Sequence, residues 1–159
     1  SGLTLACVRA LLAAEAKLGL DVVLGPASRG LDALQGLAAR RSDLRVHVDT
    51  PHMAERMLDA DLALGAAGSS SWERCCLGLP TVMLVLAGNQ RTVAARLEEE
   101  GAAVAVGDGP ALEDRAAAAV LALARDTETR LLMSRRAAAV TDGLGASRAL
   151  GAIETLRCG

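Results

Sequence analysis

The sequence predicts an α/β domain built on a doubly wound parallel sheet, with a helical C-terminal tail. Three observations carry that prediction. Short apolar runs alternate with helical patterns, the runs are rich in Val and Leu, and Gly, Pro or Asp bounds them. Strands covered by helices on both faces read as near-continuous apolar runs, because neither face meets water. Strand and helix alternating across short loops then select parallel pairing, since parallel neighbours need a crossover.

The elements follow in order. A helical pattern runs from about Leu3 to Leu18, and Asp21–Gly25 is the first strand. A helix from about Arg29 to Arg41 leads to the strand Leu44–Val48. Thr50 before Pro51 reads as an N-cap followed by the residue favoured at the first helical position, so Pro51–Leu58 is expected to be helical. The strand Asp61–Gly65 passes through a small-residue loop to a helix over Ser71–Gly78. Thr81–Leu86 is the fourth strand, and the helix Asn89–Glu100 is expected to stop at a left-handed Gly101. Ala102–Val106 is the fifth strand. From Pro110 onward two or three helices are expected, broken near Asp126-Thr127 and Thr141-Asp142-Gly143. Residues 1–159 fit one domain, with 110–159 as its helical tail.

The order of the strands is open. The chain starts on a helix, with no strand before Leu3. In sheets of order 3-2-1-4-5-6 the first strand is central, whereas five strands closing up would give 2-1-3-4-5. A central gap leaves two rows of backbone donors and acceptors unpaired. The family resemblance named below implies that residues before Ser1 supply a strand. The alternatives are another chain, or direct pairing of the Asp21 and Asp61 strands.

Composition excludes several functions. The chain is 52% hydrophobic, and Ala, Leu and Val supply nearly all of it. Trp72 is the only aromatic residue, which disfavours the stacking platforms of single-stranded nucleic-acid binders. A net charge of −2, with no basic cluster longer than Arg40-Arg41 or Arg135-Arg136, argues against phosphate-backbone binding. Cys75 and Cys76 are adjacent and match no zinc spacing, and His47 and His52 lack partners at ligand spacing, so no metal site is expected. Cys7, Cys75, Cys76 and Cys158 are expected to be buried free thiols of a reducing cytoplasm. No signal peptide is visible and no apolar run is long enough to span a bilayer.

Ligands of open α/β sheets bind beyond the carboxyl ends of the strands. The strand from Asp61 ends in Gly65-Ala66-Ala67-Gly68 and runs into Ser69, Ser70 and Ser71. Small residues admit a ligand close to the backbone, and hydroxyls with helix N–H groups suit an anionic group. The same residues also read as a capping box with Ser70 as N-cap and Glu73 at N3. Glu73 is placed either to accept a ribose diol or to complete that box. Asn89 and Gln90, after the fourth strand, can bind sugar hydroxyls or a diphosphate, or Asn89 can cap a helix. Thr50 to Met53 lie at the same rim, with Met53 a soft apolar cover for a base. Trp72 is expected to pack beneath the loop. No P-loop, no Gly-x-Gly-x-x-Gly and no nucleophile–base pair occurs, so no catalytic residue and no cofactor are assigned.

Ala60-Asp61-Leu62-Ala63-Leu64-Gly65, Gly68-Ser69-Ser70-Ser71-Trp72-Glu73-Arg74-Cys75-Cys76-Leu77-Gly78-Leu79-Pro80 and Asn89-Gln90 together resemble the C-terminal half of the pseudaminic-acid-pathway UDP-sugar hydrolases. They resemble equally the spore-coat polysaccharide biosynthesis proteins, and more widely the peptidoglycan UDP-N-acetylglucosamine transferases. The resemblance is dense from about Asp21 to Gly107 and thin in the tail. It implies a Rossmann-like half of a glycosyltransferase-B fold. It also implies diphosphate contacts from Ser69, Ser70 and Ser71, ribose contact from Glu73, a uracil cover from Thr50 to Met53, and Asn89 and Gln90 facing the sugar or the reacting phosphate. Water would cut the sugar–phosphate bond to give free sugar and UDP. The family's catalytic histidine stands in a glycine-rich loop of an N-terminal half, and neither His47 nor His52 matches it. The expected function is therefore the UDP-binding half of a cytoplasmic nucleotide-sugar hydrolase of surface-polysaccharide or nonulosonic-acid biosynthesis, joined to an N-terminal half. The rivals are a glycosyltransferase half, in which a sugar hydroxyl replaces water, and a non-catalytic assembly module.

Overall fold

The structure is a computed structural model that describes residues 2–14 and 17–157, and the five strands form in the predicted order. The elements are α1 (Leu3–Ala13), β1 (Leu20–Leu24), α2 (Leu31–Ala38), β2 (Leu44–Val48), α3 (Met53–Leu58), β3 (Ala63–Ala66) and α4 (Ser70–Cys76). They continue with β4 (Thr81–Val85), a 3-10 turn (Gly88–Gln90), α5 (Arg91–Glu99), β5 (Val104–Gly107), α6 (Leu112–Arg125), α7 (Thr127–Val140) and α8 (Gly145–Arg157). The tail breaks where expected. Asp126 caps α7 by accepting from the Thr129 N–H at 2.9 Å.

Several boundaries differ from the sequence expectation: β3 starts at Ala63 rather than Asp61, β5 at Val104 rather than Ala102, and α2 covers only Leu31–Ala38. The starts or ends of three further helices differ as follows. Helix α1 stops at Ala13; the expected continuation through Glu15 and Ala16 lies outside the described residues. Thr50 does not cap a helix starting at Pro51. Its hydroxyl accepts from the His52 N–H at 3.2 Å, closing a short turn, and α3 starts at Met53 with His52 in the cap position. Asn89 starts no α-helix either, because Gly88–Gln90 forms a tight 3-10 turn before α5.

The core explains the apolar runs. Strand β4 is buried along its whole length. Its Val82 and Leu84 pack on one side with Cys7 and Leu11 of α1 and with the α6 face Ala116, Ala117, Val120 and Leu123. Its Met83 and Val85 pack on the other with Cys75 of α4, Ala94 and Leu97 of α5, and Ala137 of α7. Neighbouring side chains of a strand point to opposite faces, so a strand with helices on both sides has no polar positions to spare. Leu34, fully buried, joins α2 to Val8, Val22 and Leu44 in a third cluster.

The strands make two parallel sheets rather than one. β1 pairs with β2 over Leu20–Leu44 to Leu24–Val48, and β3-β4-β5 pair separately. β1 and β3 are not hydrogen-bonded to each other, so direct closure to the order 2-1-3-4-5 does not occur. A groove of about 770 Å³ lies between them, and α1, packed on α6, bridges its two sides.

Helices α4 and α5 end alike. Gly78 donates to the Cys75 carbonyl at 2.9 Å while Leu79 donates to Arg74 at 2.9 Å, and Gly101 and Ala102 repeat the pattern on Glu98 and Leu97. Both glycines are left-handed, at φ 61° and 64°. This is the double bond of a Schellman motif, in which glycine escapes the Cβ penalty.

Replacing Gly78 tests that motif. A Cβ there would lie 3.2 Å from the Ser134 backbone oxygen of α7. Gly78→Ala is expected to destabilise the chain by about 1–3 kcal/mol in urea unfolding, combining left-handed strain with that contact. A stability equal to wild type would show that the α4–α7 packing is looser than described.

The start of α8 gives a pH prediction. Asp142 accepts from both Arg148 terminal nitrogens, at 2.7 and 2.9 Å, and from the Leu144 N–H at 3.0 Å. The Arg148 guanidinium and then the Leu144 N–H hold its carboxyl down at about 2. A depressed carboxylate pKa contributes stability above its ordinary value near 4 and loses it as pH falls through the folded value. The first turn of α8 is thus expected to stay pinned to about pH 3 and to loosen below it. An NMR titration of Asp142 with a midpoint at the ordinary value would contradict this.

Candidate functional site

Two loops follow the carboxyl ends of β2 and β3. The β2–α3 loop turns through Asp49, held at a positive φ of 50°, and passes Thr50, Pro51 and His52. The β3–α4 loop runs from buried Ala67 through Gly68 and Ser69 into α4. Between α3, α4 and the α7–α8 connection lies a cleft of about 590 Å³. Pro51, Met53 and Met57 line one wall, Trp72, Glu73 and Cys76 of α4 another, and Thr141, Gly143 and Gly145 the third.

Of the residues singled out in the sequence, Met53 and Glu73 line this cleft, and Thr50 adjoins it through Pro51. The Glu73 carboxylate is exposed and has no hydrogen bond to the described residues. The expected capping box does not form: Ser69, not Ser70, is the N-cap, and no side chain caps α4. The helix starts one residue earlier than the box requires. Ser71 donates to the Gly68 carbonyl at 3.0 Å and Trp72 to Ser69 at 3.1 Å, and with Ser69 at the cap the N3 position falls on Trp72, which puts Glu73 one residue beyond the place a capping-box carboxylate occupies.

The three serines separate by burial. Ser71 is 2% exposed, and its hydroxyl donates to the Met83 sulfur at 3.8 Å while accepting from Arg74 at 3.1 Å. It therefore faces the core and not the solvent, a correction to the expectation that it contacts a ligand directly. Ser70 accepts from Arg74 Nη1 at 3.2 Å, which leaves its own proton free to point outward. Ser69 stands at the helix entrance. Gln90 uses its side-chain oxygen to accept the Leu86 N–H at 2.8 Å, closing the end of β4. Asn89 is exposed, and neither it nor Gln90 lines the cleft.

Two features escape the sequence reading. Trp72 does not pack beneath the loop: it is 45% exposed and lines the cleft beside Glu73. Arg74 is 6% exposed, with Nη2 donating to the Ala66 carbonyl at 2.9 Å, no carboxylate partner among the described residues, and a buried Nε lacking a partner. Burial pushes its pKa down from the usual arginine value. Gly65 makes room for it, since a Cβ there would lie 2.7 Å from Arg74 Nη1. An arginine four residues after Ser70, on the helix side that carries Ser71 and Cys75, was the available signal.

The remaining polar groups are peripheral. On β1 and β2, Asp21 accepts from Arg45 and approaches His47 at 2.6 Å; the Arg45 bond is the main cause of its lowered pKa. Cys7 and Cys75 are free and buried, and burial pushes both thiols up, whereas Cys76 is exposed, against expectation. Cys158 lies outside the described residues. Among the described residues no helix is long and apolar enough to cross a membrane.

Comparison with known proteins supplies a family. The chain is 34% identical over 87 residues to the uncharacterized protein MJ1062 of Methanocaldococcus jannaschii, covering 53% of this chain and 18% of that protein. It is 30% identical over 92 residues to the spore coat polysaccharide biosynthesis protein SpsG of Bacillus subtilis, covering 58% of this chain and 27% of that one. It thus spans about a quarter or less of these relatives. Among solved structures, the spinosyn rhamnosyltransferase SpnG superposes at TM-score 0.63 with 19% identity, over 92% of this chain and 40% of its own. A Listeria monocytogenes protein named as a candidate UDP-N-acetylglucosamine 2-epimerase superposes at 0.52 with 16% identity, over 91% and 47%. Likeness at these identities establishes the shared fold, half of a glycosyltransferase-B architecture. Residues 39–148, well over half of the chain, match the glycosyltransferase family 28 C-terminal domain, and the chain belongs to that family.

Proposed function

We propose that the cleft beside α4 binds the uridine diphosphate part of a nucleotide sugar. The observation that carries this reading is the meeting of Glu73, Trp72, Pro51 and Met53 in one concave site. Glu73 accepts the two ribose hydroxyls, a role its unbonded carboxylate suits. The β2–α3 loop from Thr50 to Met53 covers the base, with the Trp72 face beside it. The diphosphate extends away from the Glu73 charge toward Ser69 and Ser70, where the Ser70 proton is directed outward by the Arg74 bond behind it. Ser71 holds Arg74 in place. Asn89 and Gln90 lie toward the sugar.

The chain, residues 1–159, acts as one nucleotide-binding domain with 110–159 as its tail, and works in the cytoplasm. We assign it to an enzyme that releases free sugar and UDP in surface-polysaccharide or nonulosonic-acid biosynthesis. Its relative named for spore-coat polysaccharide biosynthesis supports that setting. The reacting groups stand in an N-terminal half of the same enzyme. Transfer is the second reading, favoured by the family itself and by the fold of a rhamnosyltransferase. The two share these loops and differ in whether water or a sugar hydroxyl attacks. Release of UDP from the whole enzyme without an acceptor separates them.

Trp72 is the only fluorophore of its kind in the chain, and it sits at the site. UDP is expected to change its emission saturably, with weaker effects from ADP and GDP, and at 100 times its dissociation constant to add about 2.7 kcal/mol of stability. No change in emission or melting with millimolar UDP, on folded protein, would sink the reading. Glu73→Gln is expected to weaken UDP binding by about 1–3 kcal/mol with an unchanged melting temperature, because Glu73 supports no cap. Unchanged affinity would remove Glu73 from the site.

A further inference from the structure

We propose that Arg74 makes the cleft select a nucleoside diphosphate over the bare nucleoside, acting through Ser70 as a buried positive charge that no protein anion neutralises. The proposal rests on the reading that UDP lies against α4, and it names what that site uses to recognise the two phosphates. Arg74 is 6% exposed, and all its hydrogen-bond partners among the described residues are neutral. They are the hydroxyls of Ser70 and Ser71 and the Ala66 carbonyl, while the buried Nε has no partner. Neighbouring Glu73 lines the cleft and acts on Arg74 only across space. A lone buried charge is costly, and a well-packed apolar residue often serves stability as well as a buried ion pair does. Arginine keeps its proton at neutral pH, even where burial lowers its pKa as it does here. A carbonyl and two hydroxyls call for N–H donors and not for a charge. The charge is left for an anion from outside the chain.

The bonds of the guanidinium show where that anion meets it. Nη1 donates to the Ser70 oxygen at 3.2 Å, so the Ser70 proton is available to a ligand oxygen. The Ser71 hydroxyl is already used on the Met83 sulfur, and the Ala66 carbonyl has no proton to give. Ser70 is thus the one partner with a free donor. Hydrogen bonds in series polarise one another, so a charged donor behind Ser70 makes its hydroxyl a stronger donor in front. The apolar surroundings of Arg74 screen its charge less than water would. Glu73, placed to accept the ribose hydroxyls, on its own repels a diphosphate bound beside it, and Arg74 offsets that repulsion from the opposite side of the helix. Uridine carries no phosphate and gains nothing from the charge. Arg74 therefore sets the margin between UDP and uridine.

The test is calorimetric titration of the full chain with UDP and with uridine, at low and at high salt. Wild type is expected to bind UDP about a hundredfold more tightly than uridine, a margin that shrinks at high salt. Arg74→Met keeps the length and removes the charge. It is expected to cut the margin about tenfold or more and to abolish its salt dependence. Arg74→Lys keeps the charge and loses the fork, so it is expected to melt lower while holding the margin within about threefold. A merely structural role lowers UDP and uridine binding together and leaves the margin alone. A margin that survives in Arg74→Met, or that falls equally in both variants, overturns this proposal while the reading of the cleft stands. If Arg74→Met does not fold, Ser70→Ala decides, because the path from charge to phosphate ends there, and an unchanged margin in that variant overturns the proposal. Wild type that binds neither UDP nor uridine overturns the reading of the cleft, and this proposal with it.

Discussion

A buried guanidinium holds the rim together. Arg74 reaches from α4 into the core and ties three neighbours, the Ala66 carbonyl at the end of β3 and the hydroxyls of Ser70 and Ser71. A charge taken out of water costs several kcal/mol unless its donors are satisfied, so these bonds constrain the loop strongly. The constraint explains why position 65 is glycine and why Ser71 faces inward toward Met83. It also fixes the rotation of α4. With Arg74, Ser71 and Cys75 inside, Trp72 and Glu73 are turned outward to the cleft. At about 100° per residue, Ser71, Arg74 and Cys75 fall on one face of the helix and Trp72 and Glu73 on the other, so burying the first set turns the second outward.

The second organising fact is that helices, not backbone ladders, join the two sheets. α1 contributes Cys7 and Leu11 to the cluster around β4, and Val8 to the cluster around β1 and β2. One helix thus spans both cores. The β2–α3 loop belongs to one sheet and α4 to the other, so the geometry of the cleft depends on that bridge. Anything that settles the groove between β1 and β3 also sets the distance between the base-covering loop and Glu73.

Much of the fold was legible because buried parallel strands announce themselves. Leu44–Val48 is a strand over the predicted residues, and Gly101 closes α5 in the left-handed state expected of it. The breaks at Asp126 and around Asp142 were equally plain, since Asp, Thr and Gly are what such joints require. The finer chemistry of the loops was not legible. Ser70 and Glu73 have capping-box spacing, yet whether a box forms depends on the competing Arg74 and on the Gly68 carbonyl. Thr50 before Pro51 reads as a helix start, but its hydroxyl finds the nearer His52 N–H. Trp72 was misread because periodicity gives the spacing of a helix and not its rotation; the buried arginine sets that. The third wall of the cleft comes from Thr141, Gly143 and Gly145, far along the chain in a tail with no motif.

The account stands most directly on where a nucleotide lies against α4. A crystal structure of the chain with UDP decides it. The account predicts the two ribose hydroxyls within hydrogen-bond distance of the Glu73 carboxylate, the base against Pro51 and Met53 beside Trp72, and the diphosphate directed toward Ser69 and Ser70. UDP bound away from this cleft, or in it with the ribose turned from Glu73, would contradict the account.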